Sequence, residues 1–224
     1  MMLHLIVALA FALDPAPLDR VLAAHVSAGR VDYAAVPDAE LASWLASAAK
    51  ATGPQSKTFW INAYNATVLH ALASGPLPAK VTDIPGFFDK KTYVVAGETL
   101  TLNALEAKIR AWGDPRIHFA LNCGARSCPP LPNRAFPEDP AALDALLEKL
   151  TADFLAGPGL VVDDAKHQIQ LSTLFDWYRA DFGDALAFVR KHLADPAEKA
   201  KLEAAVAAGY AVTYQPYDWT PNAR

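Results

Sequence analysis

Apolar and polar positions alternate along the chain with two different periods, and the change of period separates predicted helices from predicted strands. Apolar residues recur at spacings of three and four in the segments that predict helices over residues 18–27, 37–51, 56–74, 101–112, 141–156, 173–183, 185–193 and 196–208. Alternation or a short apolar run predicts strands over residues 93–95, 99–100, 160–162, 168–171 and 211–214. Together these segments predict an α+β fold, with helices packed around a small, mainly antiparallel sheet.

The segment over residues 56–74 predicts the central helix of the fold. Its apolar side chains lie on several sides, and Ser56 is placed to cap its amino-terminal end. Asn62 and Asn65 lie three residues apart on one face of this helix, where an unpaired buried amide is costly. We therefore expect both side chains to bond to the backbone of neighbouring loops or to take part in a site.

The stretch RIHFALNCGARSCPP, residues 116–130, contains both cysteines of the protein. The alternation over residues 117–122 predicts a strand with one apolar face and one face that carries an imidazole and an amide. Gly124 then permits a sharp turn, and the two prolines that follow prevent a helix from starting at once. The pattern therefore places Cys123 and Cys128 on either side of a tight loop at the end of a buried strand.

Composition limits the class of protein. A chain of 224 residues with 53% hydrophobic residues buries a sizeable core, and residues 14–224 are predicted to form a single domain. The net charge is −4, and no basic stripe or aromatic-basic platform is present, which argues against a nucleic-acid partner. The sequence has no phosphate-binding loop, no G-x-S-x-G and no H-E-x-x-H, so it gives no support to the corresponding nucleotide, serine-hydrolase and metalloprotease chemistries.

Residues 1–13 predict a signal peptide. An apolar run is followed by small residues in an A-x-A arrangement at Ala10 and Ala12, and the run is too short to cross a bilayer. We therefore expect cleavage near Ala12 or Leu13, a periplasmic or secreted location, and no stable membrane anchor. Because no Lys or Arg precedes the run, an amino-terminal buried segment is the alternative. Export would place both cysteines where disulfides persist.

Five motifs, in this order and spacing, resemble the family called domain of unknown function 547. They are FWINAYNA, LTLNALEAKIR, DPRIHFALNCGARSCPPL, LSTLFDWYRADFG and the closing YDW. The resemblance covers nearly everything after the predicted signal, but the family carries little functional information. It implies export, since bacterial members are typically exported, and by analogy a papain-like fold. It also draws attention to one set of residues: Asn62, Tyr64, Asn65, Glu106, His118, Cys123 and Cys128.

A thiol nucleophile is the first hypothesis for these residues. Cys123, which the resemblance favours over Cys128, would attack a carbonyl carbon while His118 accepts the thiol proton. Glu106 or Asn62 would orient the imidazole, and backbone amides of residues 124–127 would hold the oxyanion. The activity would be that of a thiol-dependent hydrolase or acyl-transfer enzyme on a peptide or amide. The residues expected to contact the substrate are Cys128, Arg126, Tyr64 and Asn65.

Three alternatives remain open from the residues. Cys123 and Cys128 could form a disulfide, which would block the thiol mechanism. The two cysteines, His118 and Glu106 could instead bind zinc, although the spacing matches no standard zinc pattern and we expect neither metal nor cofactor. The last alternative is a non-catalytic binding or interaction module, clipped by the disulfide, for an unknown small-molecule or peptide ligand. Independently of these, Glu106 and Arg110 lie four apart on a helix and predict an ion pair.

Overall fold

The computed structural model describes residues 13–224, so the predicted signal peptide, apart from Leu13, lies outside the described residues. In chain order the elements are α1 (Ala16–His25), β1 (Val26–Ser27), β2 (Arg30–Val31), α2 (Asp38–Ala49), α3 (Lys57–Ala73), a 3₁₀ turn (Val81–Asp83), β3 (Thr92–Val95), β4 (Glu98–Thr101), α4 (Leu102–Arg110), a 3₁₀ helix (Pro115–Phe119), α5 (Pro140–Leu155), β5 (Leu160–Asp163), β6 (Gln168–Leu171), α6 (Leu174–Trp177), α7 (Arg179–Phe182), α8 (Ala185–His192), α9 (Pro196–Ala207) and β7 (Ala211–Tyr214). The predicted α+β class is confirmed. Within this part of the chain, no helix combines the length and the apolar character that a membrane span requires.

The strands form three small sheets rather than one. β1 pairs with β2, and β3 pairs with β4, each as an antiparallel hairpin. The third sheet has the order β5-β6-β7, with β5 antiparallel and β7 parallel to β6. Strand pairing is therefore mainly antiparallel, as expected, but each sheet is small and is stabilised by the helices that cover it.

Helix α3 is the centre of the larger hydrophobic cluster, as its sequence predicts. Every residue from 58 to 69 is buried, so the helix has no solvent face. The Ser56 side chain accepts a hydrogen bond from the Phe59 N–H at 3.0 Å, which confirms the predicted cap. A second cluster joins Phe119 to side chains from α5 to α9 and the third sheet. The candidate site lies where these two clusters meet.

The predicted strand over residues 117–122 is wrong. The chain instead forms the 3₁₀ helix Pro115–Phe119. Asp114 caps its amino-terminal end, since its side chain accepts a hydrogen bond from the Arg116 N–H at 3.1 Å. Pro115 stands at the first helical position, where its missing N–H is no loss. All of residues 117–122 are buried, so the alternation does not mark one solvent face and one core face.

The helix predicted over residues 173–183 is divided in two. Helices α6 and α7 meet at Tyr178, whose backbone lies at φ −110° and ψ 30°, outside the helical region. The predicted stop at Gly183 is confirmed, since this residue has φ 64°, which glycine adopts without steric cost. The break turns α7 so that Asp181 faces the 3₁₀ helix.

Candidate functional site

A pocket of about 310 Å³ opens between the two hydrophobic clusters. Its lining is mainly apolar and rich in aromatic side chains, with one carboxylate, one imidazole and both cysteines. The lining residues are Tyr64, Phe88, Asn103, Glu106, His118, Leu121, Cys123, Cys128, Pro129, Leu174, Trp177, Tyr178, Tyr217 and Trp219. The pocket thus collects side chains from α3, α4, the 3₁₀ helix, the turn between the cysteines, α6 and the segment after β7.

His118 lies on the wall of this pocket and is held by Asp181. Its Nε2 lies 2.8 Å from Asp181 Oδ2, and its ring stacks on Tyr178 with 4.0 Å between the ring centres. The side chain is only 3% exposed, and this burial lowers the pKa of His118 to about 4. The Asp181 carboxylate opposes that decrease, whereas the Arg110 charge adds to it. His118 is therefore a neutral imidazole at neutral pH.

Arg110 binds the same carboxylate through two hydrogen bonds. Its Nε donates to Asp181 Oδ2 at 2.6 Å, and its Nη2 donates to Asp181 Oδ1 at 3.0 Å. These hydrogen bonds lower the pKa of Asp181, so its carboxylate is ionised and accepts the proton on His118 Nε2. The basic nitrogen of the imidazole is then Nδ1, to which no described residue hydrogen-bonds. The predicted ion pair between Glu106 and Arg110 is wrong, because Arg110 is engaged by Asp181.

Glu106 contributes the carboxyl group that lines the pocket, whereas Asp181 lies behind His118. Burial raises its pKa, and the nearby Asp181 charge adds to the increase. The Tyr178 hydroxyl and the Arg110 charge lower the pKa only in part. Among the described residues, no Lys, Arg or His forms an ion pair with Glu106. The group that orients His118 is Asp181, while Glu106 is a separate acidic group in the same pocket.

Cys123 and Cys128 form a disulfide, with their Cα atoms 6.0 Å apart. The Tyr217 hydroxyl lies 3.2 Å from Cys123 Sγ and 3.1 Å from Cys128 Sγ. Because bonded sulfurs carry no hydrogen, the tyrosine is the donor. The Cys123 N–H also donates to Cys128 Sγ at 2.9 Å. The disulfide hypothesis is confirmed, and neither cysteine is a free thiol in this form.

In the disulfide form these residues cannot bind zinc as the hypothesis requires, since two of its four ligands would have to be thiolates. Over residues 13–224, no group of three or more His, Cys, Asp and Glu side chains is arranged to hold a metal ion.

Three of the four backbone N–H groups in the turn at residues 124–127 already have hydrogen-bond partners. The Gly124 N–H donates to the Asn122 side chain at 2.9 Å. The Arg126 and Ser127 N–H groups donate to carbonyl oxygens of the segment 218–220, at 2.8 and 3.2 Å. The predicted oxyanion hole is therefore wrong for these three amides. The Arg126 side chain is exposed and does not line the pocket.

Asn62 and Asn65 hydrogen-bond to the backbone of neighbouring loops, which is the first of the two roles that the sequence predicts for them. Asn62 donates to the Phe136 carbonyl at 3.1 Å and accepts from the Phe136 N–H at 2.9 Å. The Asn65 side chain bridges the backbone that follows the 3₁₀ helix. It donates to the Ala120 carbonyl and accepts from the Asn122 N–H, both at 2.9 Å. Neither amide lines the pocket, whereas Tyr64, between them in sequence, does. Asn65 still matters to the site, because it fixes the backbone that leads from His118 to Cys123.

Sequence reasoning missed Asp181 and most of the aromatic lining. Asp181 is 63 residues from its partner His118, and no local periodicity marks such a pair. The aromatic residues come mainly from LSTLFDWYRADFG and YDW. These two motifs support the family resemblance, but the sequence did not predict that their aromatic side chains line the site. The available signal was the concentration of Trp and Tyr in these two short stretches.

Fold and site together define an α+β protein with an aromatic pocket closed on one side by a disulfide. Residues 48–155 match the family model described as "Protein of unknown function, DUF547", which supports the predicted resemblance over this segment. The first three motifs lie inside the matched segment, whereas LSTLFDWYRADFG and YDW lie beyond it. No curated protein and no solved structure matches the chain significantly. The papain-like arrangement therefore stays a prediction.

Proposed function

We propose that this protein is a non-catalytic binding module whose pocket takes a small molecule or a short peptide segment. One observation carries the proposal: the two cysteines that line this apolar, aromatic-rich pocket form a disulfide. The pocket is therefore fully formed while neither cysteine is free to act as a nucleophile. Concave, mainly apolar sites with a few convergent polar groups are the usual form of ligand sites. In this pocket the polar groups are Asn103, Glu106, His118 and the tyrosine hydroxyls.

Three aromatic side chains form what we call the aromatic wall: Trp177, Tyr217 and Trp219. The Tyr217 ring centre lies 4.7 Å from that of Trp177 and 4.6 Å from that of Trp219. Trp177 is 45% exposed, although most of its surface is apolar. A partly exposed tryptophan in a pocket gains free energy when a ligand covers it.

Ligand binding by the oxidised protein tests this proposal. A library of small fragments is screened by ligand-observed NMR, and hits are titrated while tryptophan fluorescence is followed. We expect hits whose binding weakens in Trp177→Ala and is unchanged in the control Tyr214→Ala, which removes a comparably exposed aromatic on β7, outside the pocket. If no fragment binds, or if both variants behave alike, the pocket is not the binding site.

A thiol-dependent hydrolase or acyl-transfer enzyme is the second candidate, favoured by the His118 and Asp181 pair in the same pocket as the cysteines. This function needs an external dithiol, which would be oxidised to a disulfide as Cys123 and Cys128 are reduced to thiols. Cys123 Sγ would then bond to the carbonyl carbon of an amide while His118 Nδ1 accepts the thiol proton. That proton would pass to the departing amine as the carbon–nitrogen bond breaks.

Intact mass after alkylation with iodoacetamide, with and without prior reduction, separates the two candidates. In the oxidised protein we expect no modification for either candidate, because both cysteines are bonded. After reduction, slow and equal modification of both cysteines supports the binding module. Rapid modification of one cysteine near neutral pH supports the enzyme, and hydrolysis of amide substrates by the reduced protein that is lost in His118→Ala would establish it.

We also propose that the protein is exported to a periplasmic or secreted location and acts there without a nucleic-acid partner or a stable membrane anchor. The apolar run of the first 13 residues and the bonded cysteines support export, since oxidising compartments preserve disulfides. Cell fractionation with mass measurement of the mature amino terminus tests it. We expect a terminus near residue 13; a full-length protein found with cytosolic markers would contradict export.

A further inference from the structure

The pocket has one acidic charge that the protein does not neutralise by an ion pair. Asp181 is paired with Arg110, and His118 is neutral, so these three groups together carry no net charge. Glu106 lines the pocket as well, and none of the Lys, Arg or His residues described by the structure forms an ion pair with it. When Glu106 is ionised, the pocket therefore has a net negative charge.

The aromatic faces around this charge are suited to a cation. The negative faces of Trp and Tyr rings attract ammonium and guanidinium groups, most strongly where water is excluded. Tyr178, which lines the pocket, already makes one such contact with Arg110, which does not line it, since Arg110 Cζ lies 4.8 Å from the centre of the Tyr178 ring. The aromatic wall supplies two further tryptophan rings and a tyrosine ring, and Tyr64 is buried beside Glu106.

We propose that the pocket recognises a small organic cation, whose ammonium or quaternary ammonium group lies between the aromatic wall and the Glu106 carboxylate. This inference deepens the proposed binding function and rests on it. A neutral ligand of the same shape would gain the apolar contacts but not the attraction to Glu106 and the ring faces. An anion would be repelled by Glu106.

The same geometry makes binding depend on pH. The charged or titratable groups around Glu106 are Arg110, Asp181, His118, Tyr64, Tyr178 and Tyr217, and burial raises the Glu106 pKa. Because the pKa of His118 is about 4, its imidazole becomes charged only in more acidic solution. A cation favours the ionised carboxylate, so it lowers that pKa and releases a proton on binding. Affinity for a cation therefore rises as pH increases through the pKa of Glu106, whereas affinity for a neutral ligand does not.

The test compares choline with 3,3-dimethylbutan-1-ol, its neutral isostere, as probes of the oxidised full-length protein. Titrations followed by NMR give both dissociation constants at several pH values. We expect choline to bind about tenfold more tightly than the alcohol, which is within the range of cation–π and ion-pair contributions at partly desolvated sites. Glu106→Gln should abolish most of this preference, and Trp177→Leu should reduce it.

Glu138→Gln is the matched control, since it removes one exposed carboxylate outside the pocket. Its preference for choline should equal that of the unmodified chain. Equal binding of the two probes, or an unchanged preference in Glu106→Gln, would overturn the cation inference while fragment hits still support the binding module. Absence of binding by both probes and by every fragment would instead remove the proposed function itself.

Discussion

The His118 imidazole and the Asp181 carboxylate are joined by a hydrogen bond of 2.8 Å between Nε2 and Oδ2. The same Asp181 oxygen accepts from Arg110 Nε at 2.6 Å. One carboxylate on α7 therefore links the end of α4 to the 3₁₀ helix. Through this link it fixes both the tautomer and the position of the imidazole in the pocket.

Because burial lowers the pKa of His118, we expect acid to destabilise the folded protein. That pKa is about 4 in the folded protein and takes its ordinary value near 6.5 in the unfolded chain. Between these values the unfolded chain binds more protons, so the stability contributed by His118 is complete above pH 6.5 and is lost as pH falls toward 4. The shift corresponds to about 3 kcal/mol.

Urea unfolding at intervals between pH 7 and pH 4 measures this effect. In His118→Gln the free energy of unfolding should fall less steeply with decreasing pH than in the unmodified chain. His167→Asn is the control, because His167 is exposed and has a positive φ, which Asn tolerates. Identical pH profiles for the unmodified chain and His118→Gln would show that His118 does not carry the acid sensitivity.

The disulfide between Cys123 and Cys128 should stabilise the protein only modestly. The two residues are five apart in sequence, and closing so short a loop restricts the unfolded chain by about 2 kcal/mol. Dithiothreitol should lower the free energy of unfolding by this amount in the unmodified chain. The double variant Cys123→Ala, Cys128→Ala should not respond to the reductant, and a response there would assign the loss to another cause.

Asn62 should be important for stability although it lies outside the pocket. Asn62→Ala leaves both the N–H and the carbonyl of Phe136 without their partner in a buried setting. We expect a loss of about 3 kcal/mol in the free energy of unfolding, measured in urea. Asn103→Ala, an exposed change on α4, should alter it by less than about 0.5 kcal/mol. Equal losses in these two variants would refute the role given to Asn62.

Gly124 should tolerate no side chain. It has φ +84°, and a Cβ atom there would lie 2.3 Å from Leu72 Cδ1, which is buried. We expect Gly124→Ala to cost about 3 kcal/mol, from backbone strain together with displacement of packed core atoms.

Gly97→Ala separates the two contributions to that cost. Gly97 has a similar φ of +76°, but a Cβ atom at this residue would have no neighbour within 4 Å, so only strain of about 1 kcal/mol remains. Urea unfolding of both variants gives the difference. Equal losses would mean that Leu72 moves aside without cost.

The sequence predicts elements whose pattern arises from local packing. Helix α3 with its Ser56 cap, the hairpin at residues 96–97 and the loop bonds of Asn62 follow from periodicity, capping and the cost of unpaired amides. The strand predicted at residues 117–122 is wrong because a prediction from alternation takes polar positions to face water. His118 is polar but buried, and it is satisfied by a carboxylate from another element.

The composition of the site was predictable in part. Glu106, His118, Cys123 and Cys128 were singled out, and the structure brings them into one pocket. Asp181 could not be assigned, because its role depends on the break in the chain at Tyr178, which turns α7 toward the 3₁₀ helix. A helix break of this kind depends on tertiary packing and not on local propensity.

The aromatic wall joins residues that are far apart in sequence. Tyr217 and Trp219 follow β7, whereas Trp177 ends α6, so the wall forms only when the chain between them has closed into a loop. Such long-range contacts form more slowly than local hairpins and helices. We therefore expect tryptophan fluorescence to report a later step of refolding than the far-ultraviolet circular dichroism signal, and the binding surface to become competent only with that step.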